Sequence, residues 1–259
     1  MNNIDSKIKE INYIEDQANK NQWMNNIHPL VKLLLTIIYI VFVVSVQKYD
    51  LTPLLLLMVY PILMMNFNSY SWKLAFRRIS FIMPFIIVVG IFNPIYDRNV
   101  IWQIENIKLT GGMISMITML LKGILAVFAS YLLIISTSIE KICYSLRLLH
   151  LPKLFVQEIL LIYRYISVLM NEVNRITQAY SLRAPKQKGI NYRVWGSLVG
   201  QLLLRSMDRS TVLYESMCLR GFSGEFYYNS GQKLSKSDLV FGFICLTVLA
   251  LCRFCYFVM

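Results

Sequence analysis

Two short arginine-containing stretches have the residue types and spacing best suited to binding a partner. They stand in "SLRAP" and "CLRGF", which place Arg183 and Arg220 in the last turns of two long predicted helices. A guanidinium presents several donors in a fixed planar fork, which suits paired hydrogen bonds to a carboxylate. An arginine in the last turn of a helix also gains about 0.3–1 kcal/mol from the helix dipole. Each stretch therefore fits either a docking end or an ordinary helix end.

No other group of residues in the sequence has the spacing of a reactive site. Cys252 and Cys255 form C-x-x-C without a second pair, and His28 and His150 each stand alone. We therefore predict no metal ligand, no cofactor and no catalytic group. Lys122 interrupts an apolar run, where it is either a functional residue or a packed lysine facing a polar seam. The sequence has no phosphate-binding glycine loop, H-E-x-x-H motif or nucleophile elbow, so we do not expect an enzyme.

The composition indicates a membrane protein. Of 259 residues, 56% are hydrophobic and only 15% are charged, while the formal net charge is +12. A basic chain this apolar fits lysines and arginines on the cytoplasmic side of a bilayer, in contact with anionic lipid. It contains no recognisable nucleic-acid-binding module, so nucleic acid is not an expected partner.

Apolar runs predict an all-α polytopic fold with about five transmembrane helices. The runs cover residues 30–46, 51–65, 79–96, 113–136 and 239–259. We expect a cytoplasmic N-terminal segment (1–29), four spans (30–136), a cytoplasmic region (137–238) and a C-terminal span (239–259). The first 29 residues lack the apolar core of a signal peptide. Fourteen lysines and arginines in 137–238 favour this orientation, in a prokaryotic plasma membrane.

The predicted cytoplasmic region contains two long helices, over about 152–183 and 192–220. In the first, Glu158, Arg164, Glu172 and Arg175 divide the apolar sequence into pieces that we interpret as too short to span a membrane. It is better read as an amphipathic helix along the bilayer surface or against a partner. The second helix is predicted to stop at Gly221.

Residues 137–184 and 202–225, together with "IHPLVKLLL" near the start, resemble the membrane-embedded T component of energy-coupling factor transporters, particularly the CbiQ type. The resemblance implies a scaffold that links a substrate-capturing S component to two cytoplasmic ABC ATPases. It also implies two ATPase-docking triplets that end coupling helices and enter grooves on the ATPases: Leu182, Arg183 and Ala184, and Leu219, Arg220 and Gly221. The first triplet departs from the family pattern, since Ala184 stands where glycine is common and Pro185 follows.

The resemblance leans toward cobalt as the cargo, held by another subunit. A T component shared by several vitamin S components is the alternative within the family. An autonomous membrane carrier and an intramembrane enzyme are the alternatives from other classes. A carrier would favour an inverted repeat and polar groups in the spans, neither of which is visible apart from Lys122.

Overall fold

The structure, a computed structural model, describes residues 2–20, 22–68, 70–97, 100–104, 107–185, 187, 189–224, 226 and 235–258. These residues form eleven helices and one antiparallel pair of strands. In chain order, the elements are α1 (Asn2–Asn19), α2 (Trp23–Asn26), α3 (Pro29–Ser45), α4 (Thr52–Phe67), α5 (Trp72–Gly90), α6 (Phe92–Tyr96), β1 (Val100–Ile104), β2 (Ile107–Thr110), α7 (Gly111–Ser136), α8 (Ile139–Leu148), α9 (Lys153–Arg183), α10 (Tyr192–Leu219) and α11 (Lys236–Val258). Three of the fourteen basic residues in 137–238 that favoured the predicted orientation, Lys186, Lys188 and Lys233, lie outside the described residues.

The all-α polytopic class is confirmed, and helices α3, α4, α5, α7 and α11 occupy the five predicted apolar runs. Within the described residues, Trp72–Ile95, Gly111–Ser136 and Lys153–Arg183 are long and apolar enough to cross a membrane, and α3 and α4 are shorter apolar helices. Composition alone therefore does not exclude α9 as a span, contrary to the argument from its charges. The β1–β2 hairpin was not predicted; it pairs Ile104 with Ile107 and lies directly before α7.

The described chain separates into two compact units. The first unit comprises Met1–Asp16 and Ile139–Gly231, and the second comprises Gln17–Ser138 and Gln232–Met259. The second unit contains all five helices of the predicted apolar runs, whereas the first contains α8, α9 and α10. The side of the membrane on which each unit lies stays a prediction.

Helix α7 lies at the centre of the second unit, where it contacts α3, α4, α5 and α6. Tyr39, Leu54 and Leu125 are almost completely buried where α3, α4 and α7 meet. Gly112 allows α6 to approach the start of α7, because a Cβ there would lie 2.5 Å from the Cα of Pro94. The second unit is thus packed around one long helix.

Two buried or half-buried lysines join the antiparallel helices α3 and α7 at both ends of their contact. Lys32 Nζ, in the first turn of α3, donates to Ser136 O at the end of α7 at 2.8 Å. Lys122 Nζ, on α7, donates to Val44 O at 3.1 Å and to Val46 O at 2.5 Å at the end of α3. Each lysine supplies a donor to carbonyls that a helix end leaves unpaired. The packed-lysine interpretation of Lys122 therefore accounts for its position.

The first unit is thinly packed. Val156, Gln157 and Ile176 are the buried residues of α9, and no described residue of α10 is buried. The ion pair between Glu172 and Arg205 joins these two helices, with Arg175 Nη1 at 3.9 Å from Glu172 Oε2. Most of the surface of α9 and α10 remains open to contact with something other than this unit.

Candidate functional site

The first candidate triplet lies at the C-terminal end of α9. Leu182 is 82% exposed and Arg183 is exposed, while Ala184 is half-buried. The Ala184 amide donates to Tyr180 O at 3.0 Å, which closes the last turn. Ala184 has a negative φ of −128°, so this helix end does not need glycine. An apolar side chain and a guanidinium are thereby presented together at a closed helix end.

Tyr180 shapes the turn that follows the first triplet. Its hydroxyl donates to Gln187 Oε1 at 2.6 Å and accepts from the Asn191 amide at 3.3 Å. Asn191 then caps the start of α10, because its Oδ1 accepts from the Arg193 amide. One phenol therefore connects the end of α9 to the start of α10, a role that the sequence analysis did not identify.

The second candidate triplet ends α10 in a Schellman motif. The Phe222 amide donates to Met217 O and the Gly221 amide donates to Cys218 O, both at 3.0 Å. Gly221 has a φ of +81°, in the left-handed region that glycine adopts at low cost. Leu219 is 90% exposed beside the exposed Arg220. The second triplet therefore also presents a leucine and an arginine at a closed helix end.

The side chains of Arg183 and Arg220 are both free of polar contacts in the part of the chain that the structure describes. The carbonyls at the end of α10 are bonded by backbone amides, so Arg220 is not needed to cap them by hydrogen bonding. The structure keeps the two triplets on separate helices, and within its described part no hydrogen bond or ion pair joins them.

The segment after Arg220 is folded back onto α8 and α9, which the sequence analysis did not predict. Gln157 Nε2 donates to Gly224 O at 2.6 Å, and Arg147 Nη1 donates to Phe226 O at 3.0 Å. Gln157 is 8% exposed, which makes it one of the few buried polar residues of the first unit. Its position among charged and apolar neighbours in the sequence gave no signal for this contact.

The two histidines that the sequence singled out lie at helix ends. His28 caps α3 by accepting from the Leu30 amide at 3.2 Å, and His150 has a φ of +62° at the turn after α8. Burial, together with the nearby Glu140, raises the pKa of the Cys143 thiol on α8. No group of three or more histidine, cysteine or acidic side chains that could hold a metal occurs in the described part of the chain. The side chains of the C-x-x-C pair lie outside it.

These features define a polytopic membrane protein of the all-α class that presents two leucine–arginine helix ends on a lightly packed helical unit. The family described as "cobalt transport protein", CbiQ, matches residues 20–229. The chain belongs to this family, and as a CbiQ/EcfT member it is a membrane component of energy-coupling factor transporters.

Curated relatives extend the similarity along the chain. An uncharacterised protein of Methanocaldococcus jannaschii is 25% identical over 271 residues, covering 96% of this chain and 89% of the relative. The energy-coupling factor transporter transmembrane protein EcfT of Streptococcus equi subsp. equi is 24% identical over 225 residues, covering 79% of this chain and 81% of the relative. Nickel permease LarQ of Lactiplantibacillus plantarum is 27% identical over 104 residues, covering 40% of this chain and 38% of the relative.

Proposed function

We propose that this chain is the noncatalytic T subunit of a plasma-membrane importer, coupling ATP hydrolysis by two cytoplasmic ABC ATPases to uptake through an S component. The observation that carries the proposal is the pair of exposed arginines at the ends of α9 and α10, whose side chains have no polar partner among the described residues. A guanidinium beside an exposed leucine matches a groove that offers a carboxylate and an apolar wall. Under this proposal the first unit is cytoplasmic, and α9 serves as a coupling helix rather than as a span.

Cobalt is the cargo that we propose, carried by the S component rather than by this chain. The family description names cobalt transport, and the partial similarity to a nickel permease keeps the proposal within the divalent transition metals. Metal uptake by cells that express the complete complex tests this proposal. Cobalt accumulation should exceed nickel accumulation, whereas uptake of a vitamin with no metal accumulation would contradict the cargo assignment.

Docking is tested by substituting each arginine with lysine and with glutamate. Loss of a charge-assisted hydrogen bond costs about 1.5–3 kcal/mol, so Arg220→Lys should weaken ATPase binding about 10- to 100-fold. Arg220→Glu should abolish copurification of the ATPases, and Arg183 should show the same order with smaller effects. The measurements are ATPase copurification and cobalt uptake, with membrane abundance as the folding control and Arg209→Glu as an exposed control on α10.

If Arg220 only stabilises the end of its helix, Arg220→Lys should leave ATPase binding and cobalt uptake close to those of the parent. Lysine keeps the positive charge and therefore most of the favourable interaction with the helix dipole. If both Arg220→Lys and Arg220→Glu assemble and transport like the parent, the arginine does not dock and the proposed function is wrong.

A further inference from the structure

A groove lies beside Arg220 within the first unit. It has a volume of about 470 Å³ and lies between the middle of α9, the end of α10 and the segment after α10. The lining residues that matter for its chemistry are Leu161, Arg164, Tyr165, Arg220, Phe222 and Phe226. The groove therefore combines aromatic and apolar walls with two guanidinium groups.

One wall of the groove is held in place by buried hydrogen bonding. The rings of Phe222 and Phe226 lie 5.1 Å apart, centroid to centroid. The backbone that carries them accepts hydrogen bonds from Gln157, at Gly224 O, and from Arg147, at Phe226 O. Because Gln157 is almost fully buried, its bond to Gly224 is shielded from competition with water. The wall is part of the folded unit.

The charges around the groove are not balanced by the residues that form it. Arg164 and Arg220 are both exposed, and neither side chain has a hydrogen-bond or ion-pair partner among the described residues. The described lining contains no carboxylate. Two guanidinium groups on such a groove favour an anionic occupant.

We infer that this groove receives an acidic side chain of the ATPase subunit that docks at Arg220, with Arg164 as the second guanidinium that binds it. The inference rests on the proposed function, because it assigns the occupant to the same docking partner. A protein partner is favoured because Arg220 belongs both to the groove and to the exposed docking end with Leu219. The end of α10 then contacts the ATPase in two ways. Its exposed residues enter the ATPase, and the adjacent groove binds an ATPase side chain.

The test compares full complexes of the parent and of Arg164→Gln. It measures how much ATPase each complex retains over a series of salt concentrations. Loss of one guanidinium–carboxylate contact should weaken ATPase binding about 10-fold. The remaining binding should also depend less steeply on salt, because one fewer charge pair is screened. Arg209→Gln is the matched control: this exposed arginine on α10 lies outside the groove and should retain the parent affinity and salt dependence.

A second variant tests the wall without removing a charge. Gln157→Met keeps a side chain of similar length but cannot donate to Gly224 O. It should weaken ATPase binding while leaving the dependence on salt close to that of the parent, since both arginines remain. Membrane abundance and retention of the S component report whether either variant fails to fold.

Arg220→Glu, measured in parallel, separates this inference from the proposed function. Loss of the ATPases in Arg220→Glu with parent-like retention and salt dependence in Arg164→Gln would overturn the groove assignment alone. Full retention in Arg220→Glu would overturn the docking function itself. The complexes are also compared in nanodiscs with and without anionic phospholipid. An effect of Arg164→Gln that appears only with anionic phospholipid would identify a lipid headgroup as the occupant and overturn the assignment to the ATPase.

Discussion

At the residue scale, two helix ends use the same backbone motif with different residues. After α8, the Leu151 amide donates to Leu146 O and the His150 amide donates to Arg147 O. After α10, the corresponding bonds are made around Gly221. His150 and Gly221 therefore occupy equivalent left-handed positions, with φ of +62° and +81°. Only the glycine adopts this conformation without steric cost from a Cβ.

Substitutions at these two positions should have opposite effects. Gly221→Ala should destabilise the end of α10 by about 1–2 kcal/mol, since the cost is confined to the backbone. No heavy atom lies within 4 Å of the added Cβ, which excludes a packing clash. His150→Gly should remove the steric strain at the end of α8. The net gain in stability should be about 0–1 kcal/mol, because glycine also gives the unfolded chain more entropy. Hydrogen exchange of the peptides that contain each helix end measures both changes.

The control for these substitutions is Gly200→Ala in α10, where a Cβ also meets nothing within 4 Å. Alanine in an exposed helix interior should stabilise α10 by about 1 kcal/mol. Two results would contradict the positive φ of Gly221 as the cause of the expected destabilisation. One is faster exchange in Gly200→Ala than in the parent, and the other is unchanged exchange at the end of α10 in Gly221→Ala.

The two described cysteines of the first unit should differ strongly in reactivity. Cys218 is exposed, whereas Cys143 is buried and its thiol has a raised pKa, which lowers the fraction of reactive thiolate. In a variant with Cys245, Cys252 and Cys255 replaced by alanine, maleimide should modify Cys218 rapidly and Cys143 only after denaturation. Mass spectrometry of the modified peptides measures both rates. Equal rates in the folded protein would contradict the packing of α8.

At the element scale, Lys32 and Lys122 are charged residues within apolar helices. Their hydrogen bonds between α3 and α7 give them a structural role that does not require a role in transport. Lys122→Met preserves most of the side-chain length but leaves Val44 O and Val46 O without this donor. We expect a loss of about 1.5–3 kcal/mol of stability, the usual contribution of a hydrogen bond made by a charged group. Uptake per assembled complex should remain close to that of the parent. Thermal unfolding in detergent and uptake normalised to complex abundance measure the two effects.

Lys48→Met provides the matched control for Lys122→Met. The Lys48 side chain is 63% exposed and lies 3.5 Å from Asp97, so its ion pair should contribute less than about 1 kcal/mol. If Lys122→Met abolished uptake while leaving the unfolding temperature unchanged, Lys122 would be a functional residue and the structural interpretation would fail.

At the scale of the whole molecule, the orientation in the membrane is open to a direct test. In a cysteine-free variant, Tyr192→Cys should react with a membrane-impermeant maleimide only after cells are permeabilised. Tyr192 is 89% exposed and belongs to the unit that we place in the cytoplasm. Gln47→Cys, in the exposed connection after α3, should react in intact cells. Labelling of Tyr192→Cys from outside would reverse the proposed arrangement, which rests on the lysine and arginine distribution.

Much of the helical framework follows from patterns that are local in the sequence. The apolar runs and Gly221 predicted α3, α7 and the end of α10 to within two residues, because helix-forming runs and helix-stop residues act over a few positions. The hairpin before α7 was missed because its strands are only five and four residues long and neither strand encodes the pairing by itself. The left-handed position of His150 was missed because residues other than glycine are uncommon in that conformation.

The sequence by itself determined the class of protein, the helix order and the two leucine–arginine ends, since each depends on composition or on residues close in the chain. Only the tertiary structure decided what those ends and the isolated charges contact. It paired Lys32 and Lys122 with carbonyls 104 and 78 or 76 residues away, and it folded the segment after Arg220 back onto Gln157, 67 residues from Gly224. Such bonds depend on which helices pack together, and helix packing combines many weak contacts that no short stretch of sequence contains.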